Sequence, residues 1–241
     1  GAWGSALAIN FSKKHQVSLW TKDPVHAQEM NEDRINRSFL PGHALPSSLE
    51  VTAELPEALE NADLALLVVP IAGLRETVRM IALSKFSEPI VWGCKGFESE
   101  SSRLPHQVVA EEFPEIMTNC GVLSGPSFAE EVALGLPTAL TLASRNSEFS
   151  RYLASELHSP KLRIYTSPDV VGVETGGAVK NVITIAAGIS DGIGFGHNAR
   201  AALITRGLME ITRLGLGLGG SMNTFMGLAG VGDLILTSTG D

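Results

Sequence analysis

Ala62-Asp63-Leu64-Ala65-Leu66-Leu67-Val68-Val69-Pro70 is the stretch that decides the fold. Beyond Asp63 it carries no polar side chain, and a strand apolar on both faces belongs inside a parallel sheet covered by helices on each side. Two further runs share this texture, Pro89-Ile90-Val91-Trp92-Gly93-Cys94 and Gly121-Val122-Leu123-Ser124, and Pro137-Thr138-Ala139-Leu140-Thr141-Leu142-Ala143 and Leu162-Arg163-Ile164-Tyr165 read as additional strands. A helix predicted over Pro56 to Asn61 precedes the first of them. From Val170 onward the periodicity is helical, broken by glycine loops at Asp191 to Gly196 and Gly215 to Ser221. The boundary is expected near Thr166, giving an α/β domain over residues 1–166 and an all-α domain over 167–241.

The start of the chain says what kind of α/β domain this is. Gly1-Ala2-Trp3-Gly4-Ser5-Ala6-Leu7-Ala8 sets a glycine turn directly before a helical pattern, and a short strand, Gln16-Val17-Ser18-Leu19-Trp20, follows at the spacing of a βαβ unit. Gly1 and Gly4 stand three apart, as do the last two glycines of Gly-x-Gly-x-x-Gly, so the first glycine and its strand are expected upstream of residue 1. The expectation is a Rossmann-type dinucleotide-binding domain. Just past the second strand of such a unit a side chain meets the adenosine ribose, an acid favouring NAD and a cation favouring NADP. Thr21-Lys22-Asp23 fills that place: Lys22 suits a phosphate, Asp23 leaves a hydroxyl partner open, and a solvated turn is the plain alternative.

Composition narrows the partner. The 241 residues are 44% hydrophobic, enough for a sizeable core, and the formal net charge is −8 with lysines and arginines scattered. That balance excludes nucleic acid and anionic membrane surfaces and favours a small ligand. No apolar run is expected to span a membrane, and no secretory signal opens the chain. Two cysteines, Cys94 and Cys120, fit a reducing, cytoplasmic compartment. The six histidines show no metal-ligand spacing, so no metal is expected.

Chemistry is signalled in Glu174-Thr175-Gly176-Gly177-Ala178-Val179-Lys180-Asn181. One lysine sits in a helix otherwise made of small and apolar residues, where an ammonium must find a partner or lose its proton. Helical side chains lean over positions i−3 and i−4, here Gly177 and Gly176, so a cavity is expected beside Lys180. A lysine snorkelling to the surface is the alternative. Ligands of parallel sheets collect at the carboxyl ends of strands, which is where Lys95 and Ser127 fall. Lys95 also reads as a solvated lysine and Ser127 as a helix N-cap. Asn198 is placed to cap a helix over Ala199 to Leu214, and Arg200 and Arg206 on it read as ion-pair partners. Asp233, at the glycine-rich turn Gly227 to Gly232, reads either as an N-cap or as the partner of a buried lysine.

These segments, in this order and spacing, resemble the bacterial soluble NAD(P)-dependent glycerol-3-phosphate dehydrogenases. The likeness runs through Trp3 to Ala8, Phe39-Leu40-Pro41-Gly42, Lys95-Gly96-Phe97-Glu98, Leu123 to Glu130, Gly172-Val173-Glu174, Gly176 to Ile183, Asn198 to Gly207 and Gly227 to Leu234. It implies hydride transfer between NADP or NAD and carbon 2 of dihydroxyacetone phosphate, giving sn-glycerol 3-phosphate for phospholipid synthesis. The resemblance makes Lys180 the proton acceptor, Asp233 its partner, and Lys95 a cation touching cofactor and substrate. Gly125, Ser127, Asn181 and Thr237 correspond to substrate contacts, while Gly1, Ala2, Trp3, Gly4, Lys22 and Ala129 correspond to cofactor contacts. A serine is common where this chain has Ala2, and a Ser-Arg-Asn run whose arginine clamps the substrate phosphate is expected just after Asp241. A homodimer is one assembly the resemblance allows. Two other readings fit the same motifs: a related Rossmann dehydrogenase of another hydroxy acid, and a redox-inactive NADP sensor, which would not need Lys95, Lys180 and Asp233 together.

Overall fold

A computed structural model describes residues 1–239. Gly240 and Asp241, the last residues of the expected helical domain, lie outside the described residues. In chain order the elements are α1 (Ala2–Phe11), β1 (Ser18–Trp20), α2 (Pro24–Asp33), β2 (Glu50–Thr52), α3 (Leu55–Leu59), β3 (Ala65–Leu67), α4 (Ile71–Leu83), β4 (Ile90–Trp92), α5 (Pro105–Glu112), β5 (Cys120–Ser124), α6 (Ala129–Leu134), β6 (Thr138–Ala143), α7 (Ser147–Leu157) and β7 (Leu162–Ser167). The remainder is helical: α8 (Val170–Gly192), α9 (Gly196–Gly217), α10 (Met222–Phe225), a π-helical turn (Leu228–Gly232) and α11 (Asp233–Thr239).

Five strands lie side by side in the order β3-β4-β5-β6-β7, and β1 pairs with β2 in a separate parallel ladder. The runs at β4, β5 and β6 are buried on both faces, whereas β7 alternates, with Leu162 and Ile164 buried and Arg163 and Tyr165 exposed. In β4, Ile90 and Trp92 join the hydrophobic cluster under α4 and α5, while Val91 joins the cluster on the opposite face with α1 and α7. The strand pairs are parallel with one exception, β6 against β5. The three runs read as parallel, β3, β4 and β5, are parallel to one another, and the direction of β6 was left open by the sequence. A run buried on both faces looks alike in either direction, so the connection sets the direction, and here the chain turns back through the short α6.

Three boundaries in the helical part also differ from the sequence reading. The expected glycine loops shrink to residues 193–195 and 218–221, because α8 continues to Gly192 and α9 to Gly217. Asn198 does not cap α9, which begins two residues earlier with Phe195 at the N-cap position. At 23 residues α8 is apolar and long enough to cross a membrane, contrary to the expectation of no such run, and half of its most apolar window is buried in the fold. Arg200 pairs with Asp191 at 3.0 Å and Arg206 with Glu210 at 3.9 Å, the surface roles expected of them.

The helical part packs directly against the sheet. Val170 and Val173 of α8 and Ala229 of the π turn belong to the same hydrophobic cluster as Trp92 and Val122 of the sheet. Gly176 permits this approach: a Cβ there would lie 2.5 Å from the Ala229 carbonyl oxygen. Helix α8 therefore runs along the carboxyl ends of β4 and β5, where the sequence placed the reactive groups.

Candidate active site

Lys180 is buried, at 7% exposure, nearly three turns into α8. Its Nζ donates to Asp233 Oδ1 at 2.5 Å and to Thr237 Oγ1 at 2.9 Å. Thr237 in turn donates to the Asp233 carbonyl oxygen at 2.7 Å, one turn back along α11. The other carboxylate oxygen of Asp233 accepts from Lys95 Nζ at 2.6 Å, so one aspartate, 1% exposed, is bracketed by two lysines from different elements. Sequence reading paired Asp233 with Lys180; its second bond to Lys95 emerges only in three dimensions.

Two ammonium groups about one carboxylate leave an excess positive charge in a largely water-free place, which suits an anionic ligand or an oxygen acquiring negative charge. Burial lowers the Lys180 pKa to about 8, helped by the Lys95 charge and opposed by Asp233. That value permits both donation and acceptance of a proton near neutrality. The cysteine thiols take no part: burial pushes Cys94 far up and Cys120 to about 11.

The expected cavity beside Lys180 is not what the two glycines provide. A Cβ at Gly177 would meet Ser124 Oγ at 3.3 Å and Lys95 Cγ at 3.4 Å, and Gly176 is covered by the π turn. Their missing side chains admit Lys95 and Asp233 to Lys180, in place of an open void. The π turn itself, a rare form often met at functional sites, delivers Asp233 as the first residue of α11 rather than as an N-cap.

The remaining sequence-predicted residues divide into near and far. Gly125 sits at the end of β5 with φ +145°, and a side chain there would crowd the Ala139 carbonyl, which explains its glycine. Ser127 is not the cap of α6: the N-cap position is Phe128, and the Ser127 hydroxyl donates to the Gly125 carbonyl at 3.2 Å. Ala129 opens α6. Asn181 is exposed, beside Lys180 in sequence but outside its hydrogen-bond network. Lys22 is exposed and bonded to both Glu76 oxygens at 2.8 and 2.9 Å, and Asp23 is committed to capping α2 through the amides of Val25 and His26.

At the start of the chain, α1 has no side-chain cap, and its first internal bond runs from the Ser5 amide to the Gly1 carbonyl. The amides of Ala2, Trp3 and Gly4 thus open outward, and a Cβ on Gly1 would meet nothing within 4 Å. This is the arrangement that receives a pyrophosphate. The Trp3 ring lies on Gly93, where a Cβ would stand 2.3 Å away, and its buried Nε1 has no partner among the described residues. Gly93 is two residues from Lys95, so the turn at Gly1 and the lysine cluster share one edge of the sheet. These residues fit a dinucleotide.

Two polar groups escaped sequence reading. Ser124 Oγ is buried against Gly177 without a partner among the described residues. Glu174, quoted above only as part of a motif, is wholly buried and bonded to Trp92 and His106. An acid inside an apolar helix was the available signal for it.

Comparison with known proteins agrees with this geometry. Residues 1–150 match the family model for the NAD-dependent glycerol-3-phosphate dehydrogenase N-terminus, and residues 169–241 match that for the C-terminus. The curated glycerol-3-phosphate dehydrogenase [NAD(P)+] of Nitrosospira multiformis is 63% identical over all of this chain and 73% of its own length, and that of Nitrosomonas eutropha is 60% identical over the same shares. The crystal structure of glycerol-3-phosphate dehydrogenase from Coxiella burnetii superposes with a TM-score of 0.95 at 44% identity, covering all of this chain and 74% of that one. A yeast glycerol-3-phosphate dehydrogenase superposes with a TM-score of 0.84 at 26% identity, covering all of this chain and 76% of its own. Sheet, site and similarity agree: this chain belongs to the NAD-dependent glycerol-3-phosphate dehydrogenase family.

Proposed function

We propose that this protein is an NAD(P)-dependent sn-glycerol-3-phosphate dehydrogenase, an oxidoreductase that interconverts dihydroxyacetone phosphate and sn-glycerol 3-phosphate. The observation that carries the reading is the buried Asp233 shared by Lys95 and Lys180. When bound, the nicotinamide cofactor supplies the hydride to carbon 2, or accepts it in the reverse direction.

The chain's own residues handle the proton and the charge. An ammonium has three protons, and on Lys180 two are engaged by Asp233 and Thr237, leaving one donor for a substrate oxygen. In reduction Lys180 gives that proton to the C2 oxygen as its carbonyl is converted to a hydroxyl; in oxidation the neutral amine takes it back. Lys95 remains a fixed positive charge beside the same oxygen, where negative charge develops. Asp233 holds both lysines in place, and Gly125, Ser127, Asn181 and Thr237 line the substrate side. Gly1, Ala2, Trp3 and Gly4 would receive the pyrophosphate, with Lys95 and Ala129 toward the nicotinamide and Lys22 toward the ribose. A redox-inactive sensor would have no use for two lysines on one buried aspartate. The protein would act in the cytoplasm, supplying phospholipid synthesis, with a homodimer as the assembly to be tested by sedimentation.

Lys180→Ala is the direct test. Asp233 keeps Lys95 as its counter-ion, so the fold is expected to persist, while turnover of dihydroxyacetone phosphate falls about 10² to 10⁴-fold. Cofactor binding followed by fluorescence should be retained, and a variant within tenfold of wild-type turnover would overturn the mechanism.

A further inference from the structure

Glu174 is the buried acid that the proposed chemistry leaves without a task. Its Oε1 accepts from Trp92 Nε1 at 2.7 Å and from the His106 amide at 2.8 Å, and its Oε2 lies 2.5 Å from His106 Nδ1. All three facing groups act as donors when the imidazole carries its proton on Nδ1. Burial pushes the Glu174 carboxyl up, and the His106 and Trp92 donors draw it back toward its ordinary range. The Cys94 and Cys120 thiols are the other titratable groups facing it.

The placing of these partners is informative. Trp92 ends β4 and His106 lies in the first turn of α5, so the residues flanking the connecting segment 93–104 on both sides are bonded to one carboxylate. That segment carries Lys95. The carboxylate belongs to α8, six residues before Lys180, a rise of about 9 Å along the same rigid helix. It also meets α5 at its N-terminus, where the His106 amide has no acceptor within the helix and the helix dipole favours an anion. The middle of the segment is fixed separately, by Arg75 on Glu98 at 2.7 Å.

We propose that Glu174 is a positioning residue for the two-lysine site: it clamps both ends of the Lys95 segment onto the helix that carries Lys180. The distance between the two ammonium groups about Asp233 is thereby set from outside the cluster. The inference rests on the roles given to Lys95 and Lys180 above and adds a residue that touches neither cofactor nor substrate. Aspartate at 174 is one methylene too short to reach Trp92 and His106 together. Glutamine keeps the reach: its oxygen accepts from Trp92 and the His106 amide, and its NH₂ donates to Nδ1 of the other imidazole tautomer.

The test compares Glu174→Asp, Glu174→Gln and Trp92→Phe by kcat, KM and the pH profile of sn-glycerol 3-phosphate oxidation. In Glu174→Asp, kcat should fall at least tenfold, and the alkaline rise of the profile should move upward, because a displaced Lys95 no longer depresses Lys180. The groups facing Lys180, namely Lys95, Asp233 and Thr237, are otherwise unchanged. Glu174→Gln should stay within threefold of wild type with an unmoved midpoint. A folded Glu174→Asp with wild-type kcat and midpoint would overturn the proposal. So would a loss of kcat shared equally by the glutamine variant with no movement of the midpoint, which is the signature of a merely structural acid. If Glu174→Asp does not fold, Trp92→Phe decides, since it removes one donor and keeps an aromatic, apolar side chain: an upward midpoint supports the clamp and an unmoved one refutes it. Failure of the underlying reading is distinct, because then Lys180→Ala itself would remain active.

Discussion

Replacing Asp233 by Asn tests the electrostatics of the site without changing its shape. The aspartate accepts from Lys180 at 2.5 Å and from Lys95 at 2.6 Å, and its charge is what keeps the Lys180 pKa from falling below about 8 under burial and the neighbouring Lys95 charge. A hydrogen bond to a charged group contributes about 1.5 to 3 kcal/mol, and about 1.4 kcal/mol corresponds to one pH unit. Neutralising Asp233 should therefore lower the Lys180 midpoint by about 1 to 2 pH units. The signs follow from the chemistry. Oxidation of sn-glycerol 3-phosphate needs the neutral amine, so its rate rises with pH through about 8 in the wild type and through a lower pH in the variant. Reduction needs the ammonium, so its rate falls over the same range, and the variant should be most impaired in reduction near neutrality. The assay is kcat/KM in both directions from pH 5.5 to 10, with cofactor saturating and circular dichroism confirming the fold. Stability carries the same sign: because the folded pKa of Lys180 lies below its unfolded value, wild-type stability should rise with pH between about 8 and 10.5. An Asp233→Asn midpoint equal to or above that of the wild type would refute the assignment of Lys180 as the titrating group.

Two further substitutions address packing and cofactor choice. Gly176→Ala puts a Cβ 2.5 Å from the Ala229 carbonyl, backbone against backbone, so α8 must shift from the π turn. A gain of roughly 1 kcal/mol in helix propensity is outweighed by overpacking of about 1 to 3 kcal/mol and displacement of Asp233. Thermal melting should show a lower Tm together with reduced kcat, and an unchanged Tm would show that the two backbones have slack. For Lys22→Ala, the exposed pair with Glu76 contributes at most about 1 kcal/mol, so Lys22 is free to exchange it for a stronger phosphate contact. Its removal should raise the KM for NADPH about tenfold and leave NADH unaffected, and equal effects on both cofactors would remove Lys22 from the ribose site.

Local pattern was enough to place the elements, because burial on two faces leaves an apolar run in the chain and a helix leaves its period. The strands at β3, β4 and β5, the start of α8 at Val170 and the glycine turn ahead of α1 were all legible in this way. So was Lys180, since a lone cation among Val, Ala and Gly is costly unless it is used. Direction and distance were not legible. The apolar run at β6 has no polarity of its own, and its antiparallel course depends on how the chain turns through α6. The two glycines before Lys180 announced close approach, but whether a void or a neighbour filled the space depended on where β4 and the π turn lay. Asp233 joins Lys95, 138 residues away, to Lys180, 53 residues away, and Glu174 gathers Trp92 and His106 from two other elements. One-dimensional patterns record which face of an element is buried. Which charges meet inside is decided by packing, because each such bond forms only when separate elements have already been brought to within about 3 Å.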